Sequence, residues 1–122
     1  MRRPATTTVR MPDFRDDIRW LDVCRHRIRG VAAPYVLVIQ HHFVAGPTRI
    51  AAPLVPARNQ PTTLLAPQVR VGAAMHLALL PALAAVELRQ FGAVVASAAA
   101  EVDAIFDALD ALFRGYPVGL SR

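Results

Sequence analysis

The sequence predicts a mainly β fold closed by one C-terminal α-helix: a small curved sheet or partly open barrel with the helix packed against it. Three observations carry this expectation. Short β-branched and aromatic runs recur through residues 19–80, separated by glycine, proline and polar turn signals. From Val102 to Phe113 the apolar period becomes helical, with Val102, Ile105, Leu109, Leu112 and Phe113 on one stripe. Finally, 122 residues with 54% hydrophobic and 19% charged side chains suffice for one folded core and are too apolar for a disordered chain.

Each element follows from local chemistry. Residues 1–17 hold Pro4, Pro12, a threonine run and mixed charge with no sustained apolar period, and read as a flexible extension. Alternation from Arg19 to His26 predicts the first strand, followed by a polar turn through residues 27–33. Pro34 favours extended geometry, and Tyr35-Val-Leu-Val-Ile-Gln40 reads as a strand buried on both faces. Gly46 and Pro47 mark a turn before a strand from Arg49 to Val55, where Pro53 implies an edge or a bulge. Residues 58–63 form a polar loop, and residues 65–71 and 75–80 flank Gly72 as a hairpin. Between Pro81 and Ala96 the alanines fit helix and the valines fit strand, so a turn and one short strand are expected. The last helix carries a second stripe, Asp103, Asp107 and Asp110, and stops at Gly115 after the cationic Arg114.

The charge is +5, and all fourteen basic residues are arginine. Arg2, Arg3, Arg10, Arg15, Arg19, Arg25, Arg27 and Arg29 crowd the first thirty positions, either as a solvated arm or as a polyanion-steering segment. The single cysteine, Cys24, excludes an internal disulfide and a cysteine zinc cluster, and reads as a packed thiol. His41 and His42 are adjacent, so on a strand they would point to opposite faces and could not share a metal. Neither a nucleophile elbow nor a phosphate-cradling glycine loop is present, so no catalytic constellation, metal site or cofactor is expected. The aspartate stripe is either a solvated face or a recognition surface for a basic partner. No apolar run comfortably spans a membrane, and no signal peptide opens the chain, so a cytoplasmic protein is the default expectation.

Read together, these segments resemble the CcdB family, the toxin half of a bacterial type II toxin–antitoxin pair. The resemblance covers residues 20–116. It rests on Leu21-Asp-Val, on Tyr35-Val-Leu-Val-Ile-Gln40 followed by two polar positions and Phe43-Val44, and on Thr48-Arg-Ile-Ala-Ala-Pro-Leu54. It continues through Leu65-Ala-Pro-Gln-Val-Arg-Val-Gly72, Ala84-Ala-Val86, and the helix from Val102 to Phe113 that leads into Arg-Gly-Tyr116. What the resemblance implies is an SH3-like barrel with a C-terminal helix, spanning residues 18–116 and followed by a tail at 117–122. It implies a homodimer that inhibits DNA gyrase by binding its A subunit, without catalysis of its own. It also implies neutralisation by a cognate CcdA-like antitoxin, with operator DNA reached only through the antitoxin complex. The family's contact surface, carried over by position, becomes Phe43 and Val44 on the loop and Asp110, Phe113, Arg114, Gly115 and Tyr116 at the helix tip. This chain departs from the best-known poison by placing Arg114 where that toxin has tryptophan, and by running six residues past Tyr116.

Two other readings compete. A MazF-like ribonuclease toxin would share the barrel and draft His41 or His42 as base with Arg49 on phosphate. An inactive CcdB-like decoy would keep the antitoxin-binding fold alone, and the arginine at 114 argues for it.

Overall fold

Seven antiparallel strands and one helix build the domain in the computed structural model, which describes residues 17–27 and 33–115. The strands are β1 (Asp22–His26), β2 (Tyr35–Val38), β3 (Thr48–Pro56), β4 (Gln68–Val71), β5 (Ala74–Ala78), β6 (Ala84–Glu87) and β7 (Phe91–Ser97), and the helix is α1 (Val102–Arg114). They pair in the order β4-β5-β3-β2-β1-β7, with β6 on the free half of β3. The sheet curls so that its two ends, β4 and β7, approach one another without pairing. This is the mainly β, small-barrel architecture with a C-terminal helix that the sequence predicts. The residues before 17 and after 115, and the turn at 28–32, lie outside the described residues. So do the expected extension, apart from Asp17, and the expected tail.

Both faces of the central strands are buried, as expected for a β2 with no polar alternation. Leu37 faces one cluster with Val23, Leu54 and Val69, over which α1 lays Ile105 and Ala108. Val36 and Val38 face a second cluster with Cys24, Ile18 and Phe91. Burying each such side chain contributes about 1.5–3 kcal/mol, so the strand is anchored twice over. Cys24 is a buried thiol, in keeping with a packing role.

Pro53 corrects one expectation. It lies inside a central strand, opposite Val36, not on an edge. Its carbonyl accepts from the Leu79 amide at 2.9 Å, on the side away from β2. A residue's N–H and C=O point to the same side of an antiparallel strand, so the missing donor costs no bond to β2. On that other side β3 changes partner, from β6 at residues 48–51 to β5 at residues 54–56. Proline occupies the gap between the two ladders.

Residues 81–96 hold more β structure than expected. A 3-10 turn at Leu80–Ala82, with proline in its first turn, leads into β6, and a second at Leu88–Gln90 separates β6 from β7. β7 closes the sheet on β1 with register shifts on either side of Cys24. The hairpin at Gly72 forms as read, with φ 64 at the glycine.

Candidate functional site

The loop of residues 39–47, between β2 and β3, is bound down by its own side chains. A turn closes with the Val44 amide donating to the His41 carbonyl at 3.0 Å, which lifts Phe43 to its tip. The Gln40 amide nitrogen donates to the Val44 carbonyl at 2.8 Å, and its oxygen accepts from the Ile50 amide at 3.0 Å. One glutamine thus ties the loop to the first turn of β3. Arg49, buried beneath the loop, donates through Nη1 to the Gly46 and Thr48 carbonyls, both at 2.9 Å. The result is a fixed platform that leaves Phe43 85% and Val44 56% exposed. Two large apolar side chains thus stand side by side in solvent on this loop.

His41 and His42 do not behave as strand residues. Because the chain turns here, their rings stack at 4.2 Å and 26°, on one side of the loop. His41 Nδ1 accepts from the Phe43 amide at 3.1 Å, and its ring packs on Trp20 at 5.4 Å. Trp20 in turn packs on Phe106 of α1 at 5.7 Å. The aromatic series therefore links loop to helix. Partial burial of the ring, then the Arg19 guanidinium and His41, hold His42 below the ordinary histidine range; Asp22 opposes them and Arg49 adds to the lowering.

Across from the loop runs α1. Its buried stripe is Ile105 and Ala108, with Val102, Leu109 and Leu112 packed at the edge. Phe113, expected in that stripe, is 69% exposed instead, and Phe106 is 45% exposed. Seven residues apart, they share one flank of the helix. Asp103, Asp107 and Asp110 are all exposed, and Arg114 turns back on Asp110 at 3.2 Å. Acid before base at i, i+4 is the favoured order, though so exposed a pair contributes little. Gly115 donates its amide to the Ala111 carbonyl at 3.1 Å and takes φ 85, ψ −177. That combination is not the left-handed helical one but a region open essentially to glycine alone.

Between loop and helix lies a groove of about 540 Å³. Ile39, Leu83 and Leu109 contribute apolar lining, with Gln40, Val44 and Ile50 from the strand side and Phe106, Asp110, Phe113 and Arg114 from α1. Of the seven residues carried over by resemblance, Val44, Asp110, Phe113 and Arg114 meet here. Phe43 neighbours Val44 but does not line the groove, Gly115 follows it, and Tyr116 lies outside the described residues. Gln40, Ile50, Trp20 and Phe106 escaped the sequence reading. Only Phe106 had left a signal, its seven-residue spacing to Phe113.

The ribonuclease reading loses its phosphate ligand. Arg49 is 5% exposed and spends Nη1 on two carbonyls, and its buried Nε has no hydrogen-bond partner, so it faces no open groove. Among the described residues no three histidine, cysteine, aspartate or glutamate side chains gather to hold a metal, and no helix is long and apolar enough to cross a membrane.

A curled antiparallel sheet, a terminal helix and a groove joining the β2–β3 loop to the helix end define a small-barrel protein with a C-terminal helix. The family model described as CcdB protein matches residues 22–115, from the first residue of β1 to the glycine that ends α1, and the chain belongs to the CcdB family. Membership supports a CcdB-like toxin of a toxin–antitoxin system, in a family of toxin proteins and not of enzymes in themselves. A comparison with curated proteins finds no match.

Proposed function

We propose that this chain is a CcdB-like toxin that, as a homodimer in the cytoplasm, inhibits DNA gyrase by binding its A subunit, and that a cognate CcdA-like antitoxin neutralises it. The observation that carries the reading is the groove itself. Family membership supports the toxin class, and Val44, Asp110, Phe113 and Arg114, drawn from distant parts of the chain, line a single recess. Inhibition of this kind requires only that the toxin bind one state of its target more tightly than the others. Operator DNA would be reached only through the antitoxin complex. A second reading, an antitoxin-binding decoy, draws support from Arg114, whose guanidinium is folded back on Asp110 where an aromatic would stand free.

Supercoiling and DNA-cleavage assays on purified gyrase separate these readings. Wild type is expected to inhibit weakly and Arg114→Trp more strongly, because an exposed indole adds the kind of stacking surface that dominates interface hot spots. Gly115→Val is expected to abolish the gain by redirecting the tip. Failure of both wild type and Arg114→Trp to trap cleaved DNA, or sedimentation as a 13.3 kDa monomer at micromolar concentration, would defeat the proposal.

A further inference from the structure

His42 is asked to accept at both ring nitrogens. The Trp20 amide nitrogen lies 3.2 Å from Nδ1, and Arg19 Nη2 lies 3.0 Å from Nε2. An amide N–H only donates, and a guanidinium only donates and stays charged. A neutral imidazole has one accepting nitrogen, so it satisfies one of these donors at a time. A protonated ring has none and adds a positive charge against Arg19.

The Trp20 amide, a backbone donor, cannot easily swing away. Arg19 and Trp20 sit on a turn of residues 19–22 closed twice, by the Asp22 amide on the Arg19 carbonyl at 3.0 Å and by the Arg19 amide on Asp22 Oδ2 at 2.8 Å. Its third residue, Leu21, has φ 66, where a type II turn normally calls for glycine. Leucine is held there by burial, by its amide on the Val38 carbonyl at 2.9 Å and by its carbonyl under the Ala98 amide at 2.8 Å. A backbone so over-determined fixes the Trp20 amide, while the Arg19 guanidinium reaches Nε2 from an exposed side chain that starts on the same turn.

From this geometry we propose that His42 is a positioning residue for the loop surface bearing Phe43 and Val44, holding it against the turn of residues 19–22 only while its ring is neutral. Acidification then releases that surface. Among the described residues, the charged and titratable groups facing the ring are Arg19 and Asp22 on the turn, His41 on the loop and Arg49 on β3. Three are basic, and the one carboxylate already accepts from the Arg19 amide. They agree with a ring held below the ordinary value of 6.5. The sign follows. Since the folded state resists protonation, the latch is complete above the ordinary histidine pKa and is lost as pH falls from there through the lowered folded value. That the released surface is the one that meets gyrase rests on the function proposed above; the latch itself does not.

The sole tryptophan, Trp20, touches this assembly and reports on it. The full-length protein would be taken from pH 8 to pH 5 while Trp20 emission, the His42 ring protons, the Phe43 amide and the Val44 methyls are followed. All should move together, with a midpoint below that of an ordinary histidine. In His42→Gln, whose side-chain oxygen accepts one donor at every pH, the Val44 and Phe43 transition should vanish. His41→Gln should keep it with a shifted midpoint. Val44 and Phe43 signals that stay still while His42 titrates would overturn the proposal, as would a transition unchanged in His42→Gln or a midpoint at or above the ordinary value. None of these readouts needs a partner, so they decide the latch whether or not gyrase is the target. If wild type inhibits gyrase, its potency relative to His42→Gln should fall several-fold between pH 7.5 and pH 6.

Discussion

On one side of the groove the loop of residues 39–47 is held by side chains bonding to backbone; on the other, the end of α1 is held by the core beneath it. Gln40, His41 and Arg49 each bond a backbone group of the loop, and His42 accepts from the Trp20 amide on the turn of residues 19–22. Among the described residues the helix end has its own hydrogen bonds, the Gly115 amide on the Ala111 carbonyl, and one exposed ion pair. What positions it is Ile105 and Ala108, one to three turns back in the first cluster. The two walls should therefore fail differently. The loop fails locally, bond by bond, whereas the helix end moves only when the packing under α1 is lost.

Removing that packing should have the largest effect. Ile105→Ala opens a cavity where α1 crosses the sheet, in a side chain 1% exposed. Such truncations cost about 2–5 kcal/mol. A marked drop in melting temperature is expected, together with loss of contact between Trp20 and Phe106, since that pair spans from the turn before β1 to α1. A variant that melts like wild type would show that the helix is not anchored by the core.

Much of this was legible beforehand, for identifiable reasons. The period of α1, its stop at Gly115 and the two-sided burial of β2 are local properties that composition and spacing express directly. The sequence shows one short strand where β6 and β7 lie, because alanine is indifferent between helix and strand and only pairing with β3 and β1 decides the matter. Pro53 implies an edge or a bulge in the sequence because sequence shows that a donor is missing, not which way it would point. The histidine pair reads as strand residues on opposite faces because the turn at residues 41–44 has no glycine or proline of its own to announce it. Leu21 is the least legible of all: a leucine at positive φ looks like any other leucine, and it is this turn that brings Arg19 and Trp20 to His42.

The loop wall is tested by Gln40→Leu, a change of similar volume that removes both the bond to the Val44 carbonyl and the bond from the Ile50 amide. Since water reaches these groups, the expected cost is about 1 kcal/mol, well short of a core truncation. The diagnostic is local. The Ile50 amide should exchange with solvent much faster while amides in β4 and β5 keep their protection. Uniform loss of protection across the sheet would mean that the loop is not an independent unit and would erase the contrast between the walls.

The smallest effect is expected at the helix tip, from Asp110→Ala. The carboxylate and its partner Arg114 are 57% and 76% exposed, so their ion pair sits in nearly bulk solvent and is screened by salt. Pairs of this kind at i, i+4 contribute about 0.3–0.5 kcal/mol, and alanine recovers some of that through its better helix propensity. At roughly 3–6 °C per kcal/mol for a domain of this size, the melting temperature should move by about 2 °C or less. Arg114, however, loses the group that turns it back along the helix and gains freedom to reach outward. If the tip is a contact surface, Asp110→Ala should alter partner binding while leaving stability alone, the reverse of what Ile105→Ala does. Loss of stability at Asp110 comparable to that at Gln40 would mean that the helix end, like the loop, depends on its polar side chains, and the distinction between a core-held wall and a side-chain-held wall would fall.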